Sequence, residues 1–282
     1  DGVADGLINE PRRCTYNATQ RLCVVNPNDP NCLTPAEADA INKIWDGPRN
    51  QRGQRLWGGI TPGTSFGTLL FPNPFPVGPG KDPFPFILTW QANWVHEDPF
   101  FNWKTIRLTD FGAEFQLGSR KFAEWAATDD PDLDRVRRSG AKIIHYHGLS
   151  DPLIVPFGSY NYVSRVFDRY GVFETQEFMR SFFFPGNGHC GGGGPGVPLI
   201  RSGDLFKTLV DWVEKGTEPP HVVARTANGA RSRKICKYPD EAAYIGHGST
   251  DDEASFQCVV RRHEPKDLEA DSRTAKLQHE AP

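Results

Sequence analysis

The chain has 282 residues, of which 38% are hydrophobic, 12% aromatic and 24% charged, with 32 Lys and Arg against 35 Asp and Glu. That is enough for one large domain or two ordinary ones, and a formal charge of -3 gives no reason to expect nucleic acid or an anionic membrane as partner. No apolar run approaches the roughly 20 residues of a membrane helix, while 24 prolines and 28 glycines point to long ordered loops.

The opening Asp1-Gly2-Val3-Ala4-Asp5-Gly6 carries neither an initiator methionine nor a signal peptide, and is expected to be a processed or truncated start. Six cysteines and the sequon Asn17-Ala18-Thr19, a possible glycosylation site, point to an oxidising, exported setting, secreted or periplasmic. Cys14, Cys23 and Cys32 are spaced nine apart with no Cys-x-x-Cys, which argues against zinc ribbons and thioredoxin-like sites. Thr34-Pro35-Ala36-Glu37 predicts a helix start, with threonine as N-cap, proline at N1 and glutamate closing a capping box. Ile41, Ile44 and Trp45 are its expected buried face.

From Asp46 to about Asn102 little regular structure is expected. Nine prolines lie between Pro48 and Pro99 inclusive, and the apolar residues are mostly rings: Phe66, Phe71, Phe75, Phe84, Phe86, Trp90, Trp94, Phe100, Phe101 and Trp103. Such a stretch cannot be a central sheet. It suits a loop-rich cap that packs its own rings, faces a substrate with them, or both. A helix is predicted over Arg120–Ala127 with Ser119 as N-cap and Phe122 and Trp125 on one side.

After Asp129-Asp130-Pro131-Asp132 the pattern becomes strand and helix in alternation. Ala141–Tyr146 and Phe178–Phe184 read as apolar strands. Tyr160–Phe167 reads as a helix with Val163, Val166 and Phe167 inward. Asp204–Lys215 is amphipathic, with Ser202 or Asp204 as cap, Leu205, Leu209, Trp212 and Val213 as core stripe, and Gly216 as stop. These are the closing elements of an α/β sheet, whose earlier strands residues 1–140 do not supply. From Arg261 the chain is highly charged and is expected to be disordered.

Two strand ends carry the chemistry. His145-Tyr146-His147-Gly148-Leu149-Ser150-Asp151-Pro152 places an acid just past the first strand, and Pro185-Gly186-Asn187-Gly188-His189-Cys190 places a histidine just past the second. An α/β-hydrolase presents the last two members of a Ser…Asp…His triad in this way. Asp151 would fix the imidazole tautomer, and His189 would carry the proton from a serine to the leaving alcohol. Gly63-Thr64-Ser65-Phe66-Gly67 matches Gly-x-Ser-x-Gly, but Pro62 before it and Pro72, Pro74 and Pro76 after it leave no room for a nucleophile elbow. The nucleophile is therefore expected in a part of the protein upstream of this chain. Among the cysteines, Cys236 can pair with Cys258 and Cys23 with Cys32. Cys14 and Cys190 could bond to each other or to cysteines elsewhere, and sequence alone does not decide.

The chain resembles the C-terminal half of the tannase/feruloyl esterase family, which includes mono(2-hydroxyethyl) terephthalate hydrolase. The resemblance is carried by Asp1–Ile8, Cys32-Leu-Thr-Pro35, Gly47-Pro-Arg49, His145–Asp151, Pro185–Gly191 and Tyr244–Asp251, and is loose between residues 50 and 135. It implies an α/β fold: the C-terminal portion of an α/β-hydrolase sheet (139–260), a large loop-rich, aromatic-rich lid (1–138) and a charged tail (261–282). It also implies that Asp151 and His189 are catalytic, and that Cys190 bonds to a cysteine before the serine on the N-terminal half of the same precursor. Cys14 would reach a cysteine just upstream of Asp1, and the pairs Cys23–Cys32 and Cys236–Cys258 fit the family pattern. It implies a structural calcium held by Asp1, Val3, Asp5 and Leu7, in keeping with oxygen ligands for a hard cation. The implied substrates are aromatic-acid esters, feruloyl-type first, then gallate esters (tannase) or terephthalate half-esters, with Trp90, Trp94 and Trp103 as candidate stacking partners. The rival from another class is a secreted, non-catalytic binding module on the same scaffold.

Overall fold

A computed structural model describes residues 2–66, 85–124 and 126–260. The expectations placed on Asp1, on Phe71, Phe75, Phe84 and the prolines near them, on Trp125, and on residues 261–282 lie outside the described residues.

The first region is built from short turns closed by side chains. Asn17 caps a 3-10 turn over Ala18–Arg21, accepting from the Thr19 N–H and the Thr19 hydroxyl. Helix α1 spans Pro35–Asp46 with the expected capping box: Glu37 N–H donates to Thr34 Oγ1 while Thr34 N–H donates to Glu37 Oε2 at 2.8 Å. Its buried residue is Ala38. Ile44, expected inside, is 41% exposed, because periodicity marks an apolar stripe without saying that anything covers all of it. Cys23 and Cys32 form a disulfide across the loop before this helix.

Two further helices correct the reading of the cap. Helix α2 over Pro85–Thr89 runs straight into a π-helical turn at Trp90–Val95, where no regular structure was expected; proline is acceptable there because it occupies a first helical turn. Helix α3 spans Phe111–Phe122 and stops where Arg120–Ala127 was predicted to be getting under way. Ser119 is no cap, since its hydroxyl donates to the Phe115 carbonyl one turn back. Gly118 lies inside this helix without ending it; the Val95 side chain and the Trp90 indole stand 3.4 and 3.5 Å from where its Cβ would be, at ordinary contact distance. Trp90 and Trp94 stack on each other there, with Phe122 tilted against Trp90 and edge-on to Trp94.

The second region begins with α4 (Asp134–Ser139), which ends on left-handed Gly140. Strand β1 (Ile143–Gly148) pairs in parallel with β2 (Met179–Phe184), joined by α5 (Phe157–Tyr170) and α6 (Val172–Gln176). This is the expected strand–helix–strand unit, with β1 starting two residues later than predicted. Every residue of β2 is buried, as befits a strand covered on both faces. Val163, Val166 and Phe167 of α5 face inward with Leu149, Phe178, Phe183 and Tyr238. On the other side Phe182 and Phe184 pack with Leu205, Val222, Ala224 and Ile235.

Helix α7 (Ser202–Lys215) ends at left-handed Gly216, as predicted. No side chain caps its start, however, and Val213, expected in the stripe, is 59% exposed. The remaining strands form two antiparallel pairs: β3 (His221–Arg225) with β4 (Ser232–Cys236), and β5 (Glu241–Tyr244) with β6 (Phe256–Val259). The Cys236–Cys258 disulfide ties β4 to β6, and a bridge between Phe182 and Lys237 joins β2 to the end of β4.

The first few residues are bound to this second region by buried charge. The Asp5 carboxylate, fully buried, pairs with Arg233 and lies 3.5 Å from Arg231. The Glu10 carboxylate accepts two hydrogen bonds from the Arg12 guanidinium, which lies 3.8 Å from the centre of the Tyr160 ring. Burial pushes the Arg233 pKa down and Asp5 partly restores it.

Candidate active site

Two turns at the carboxyl ends of β1 and β2 meet through the backbone. Ser150 N–H donates to Asn187 O at 2.8 Å and Leu149 N–H to Phe184 O at 2.8 Å. Gly148 is required here: a Cβ would run into the Asn187 carbonyl. Asn187, 1% exposed, organises the second turn from inside, with Nδ2 donating to the Pro185 and Pro198 carbonyls and Oδ1 accepting from Ile200 N–H at 2.9 Å. The sequence placed Asn187 in the right motif without revealing this role; its only signal was an amide flanked by glycines.

Asp151 is 4% exposed. Its Oδ1 accepts the N–H groups of Leu153 and Ile154 at 2.8 and 2.9 Å, leaving Oδ2 to face His189 Nδ1 at 2.9 Å. A carboxylate can only accept, so Nδ1 of His189 carries the proton and Nε2 presents its lone pair. The His189 side chain is 41% exposed, and among the described residues none hydrogen-bonds its Nε2. The pair predicted from two separate motifs is thus brought together, with His189 partly open to solvent. Ser65 lies on a loop whose preceding residues form no strand. Residues after Phe66, where an elbow helix would follow, lie outside the described residues. That loop is anchored to the acid turn, since the Thr61 hydroxyl donates to the Leu149 carbonyl.

Cys190 sits beside the base at φ +54, exposed and without a disulfide, and Cys14 is likewise a free thiol. The two unpaired cysteines do not bond to each other. Two more histidines lie on β1. His145 is buried against Tyr162 and Phe183, and burial, with His147 adding to it, lowers its pKa to about 4. His147 contacts the acid turn.

The calcium loop looks different from its expectation. Asp5 Oδ1 accepts the Leu7 N–H at 2.9 Å and Oδ2 is bound by the Arg233 guanidinium. No group of three or more His, Cys, Asp or Glu suited to a metal occurs among the described residues. Val3 and Leu7 are expected to ligate through backbone carbonyls, and Asp1 lies outside the described residues. The candidate stacking rings separate: Trp90 and Trp94 lie together with Phe122, while Trp103 occupies its own 3-10 turn with Lys104 over its ring.

The family model for tannase and feruloyl esterase matches residues 81–259. The chain is 32% identical over 278 residues to "Probable feruloyl esterase B-2" of Aspergillus terreus, covering 92% of this chain and 51% of that protein. It is 33% identical to "Probable feruloyl esterase" of Arthroderma benhamiae, with 92% and 49% covered. The structure superposes on feruloyl esterase B from Aspergillus oryzae with a TM-score of 0.76 at 25% identity, covering 92% of this chain and 53% of the other. A tannin acyl hydrolase from Aspergillus niger, at 18% identity and TM-score 0.76, shares the fold. The chain spans about half the length of the curated relatives it matches.

Proposed function

The chain belongs to the tannase and feruloyl esterase family, and from that premise we propose that it supplies the acid–base end of a serine ester hydrolase acting on aromatic-acid esters. The observation that carries this is the Asp151–His189 contact at 2.9 Å, with the other carboxylate oxygen already tied to two backbone N–H groups. Nε2 of His189 takes the proton as a serine hydroxyl attacks the ester carbonyl, and Asp151 stabilises the imidazolium. The imidazolium protonates the departing alcohol, and the same nitrogen then activates the water that releases the acid. The serine belongs to a segment outside this chain, and without that segment the chain is expected to be inert. Feruloyl esters are the first choice of substrate because the curated relatives matched at 32% and 33% identity carry that name.

The test uses the whole protein with methyl ferulate, methyl gallate and a terephthalate half-ester. His189→Ala is expected to lower kcat by about 10⁴-fold, and Ser65→Ala to leave it unchanged. Residual turnover near wild type in His189→Ala would overturn the reading, and preference for gallate would shift the substrate to the tannase type. Cys190 and Cys14 are proposed to form disulfides to cysteines outside this chain, in an exported protein; migration of native material at about 31 kDa with and without reductant would exclude a covalently attached second segment. Residues up to about 138 serve as lid, and 139–260 complete the catalytic domain. For calcium at Asp1, Val3, Asp5 and Leu7 the proposal is a purely structural brace: a chelator should lower the melting temperature before turnover falls, and the reverse order would sink it.

A further inference from the structure

His147 is a histidine that the acid–base pair does not use. It lies on β1 four residues before Asp151, with its side chain 12% exposed. Its Nε2 is 2.9 Å from the Ile154 carbonyl and its Nδ1 is 2.7 Å from the Ser159 hydroxyl in the first turn of α5. A carbonyl only accepts, so Nε2 carries the proton; Nδ1 then accepts, and Ser159 donates. Nε2 also lies 3.5 Å from Asp151 Oδ2.

This arrangement bears on the acid rather than on the base. Ile154 donates its N–H to Asp151 Oδ1 and receives the His147 proton on its carbonyl, so one residue of the turn is gripped on both sides. The Ile154 side chain is exposed and cannot anchor the turn by packing. Oδ1 is held by two N–H groups and Oδ2 faces His189 Nδ1, with His147 Nε2 3.5 Å away, so movement of the 151–154 turn would carry the carboxylate with it. We propose that His147 is a positioning residue, held in its Nε2–H tautomer by Ser159, which locks the 151–154 turn and so aims the Asp151 carboxylate at His189. The inference rests on the reading of Asp151 and His189 as acid and base. Small errors in the aim of a catalytic group are expensive, since a displacement of about 1 Å can lower a rate by about 10²-fold.

The experiment compares His147→Phe, His147→Gln and Ser159→Ala with His189→Ala in the whole protein, reading kcat and KM separately and the low-field proton NMR signal of the Asp151–His189 hydrogen bond. His147→Phe should lower kcat by about 10- to 100-fold with KM little changed, and should shift or broaden that signal. His147→Gln should recover most of the rate, because its amide can both donate to Ile154 and accept from Ser159. Ser159→Ala should fall between them, and it decides the matter if the Phe variant fails to fold. Wild-type kcat and an unmoved low-field proton in Ser159→Ala or His147→Phe, beside a dead His189→Ala, would overturn this inference and leave the functional reading standing. Turnover retained in His189→Ala would remove the functional reading itself.

Discussion

The stretch up to about residue 138 and the stretch after it hold their shape by different physics. In the second, two apolar clusters bury Phe182, Phe184, Val163, Val166 and Tyr160 almost completely, and every buried member of both clusters lies beyond residue 148. In the first, buried apolar residues are few and scattered, among them Ala18, Ala38, Leu56 and Val95, and order comes from capping side chains, turn-closing Asn and Asp carboxamides and carboxylates, and a short disulfide loop. Large rings of the first region such as Phe100 and Phe86 stay exposed. The lesson is that Asp151 and His189 stand on the densely packed part, while the first region is built from elements whose individual stability is small.

The sharpest way to break this contrast is to delete a ring from each side. Phe182→Ala, at a fully buried position, should cost about 3–5 kcal/mol, whereas Phe100→Ala, 90% exposed, should stay within about 0.5 kcal/mol. Equal losses in denaturant unfolding would erase the distinction. The seam between the regions comes next. Asp5→Ala strands Arg233 in the interior and should cost about 3 kcal/mol or more, with the double variant Asp5→Ala/Arg233→Met less damaged than the single one. If the single variant proves as stable as wild type, the two stretches are not joined by this pair.

The rigid part should also show an acid sensitivity of its own. His145 has its pKa lowered from the ordinary 6.5 to about 4 by burial, with His147 contributing, so below pH 6.5 the unfolded chain takes up a proton that the folded chain refuses. Stability conferred by the neutral ring is complete above pH 6.5 and declines as the pH falls toward about 4, by about 3 kcal/mol in all. His145→Phe should flatten unfolding free energy across that window, and an unchanged slope would assign the acid sensitivity elsewhere. The smallest effect belongs to the first region: Thr34→Ala removes the cap of α1 and should cost about 1 kcal/mol, read as a small fall in melting temperature with no change in ester turnover.

How much was legible follows the range of the interactions concerned. The capping box at Thr34 and Glu37 and the stop at Gly216 were readable because the residues that make them are neighbours in sequence. The meeting of Asp151 with His189 was readable because each follows an apolar strand, and parallel pairing of those strands leaves the two turns side by side. The start of α3 was missed because Gly112 and Gly118 look like breaks in a helical pattern; both lie inside the helix, where Gly118 packs against Trp90 and Val95, far away in sequence. Ile44 and Val213 continue an apolar stripe that nothing among the described residues covers fully.

The sequence by itself therefore determined the strand–helix–strand unit and the two strand-end turns that carry Asp151 and His189. Tertiary structure decided the rest. It showed which oxygen of Asp151 is left for His189, since that depends on the Leu153 and Ile154 N–H groups taking the other. It joined Asp5 to Arg233 across more than two hundred residues and gave His147 a serine from the next helix as its partner. Proton positions and charge pairing depend on distance in space, and a linear pattern carries that information only where neighbours in the fold are also neighbours in the chain.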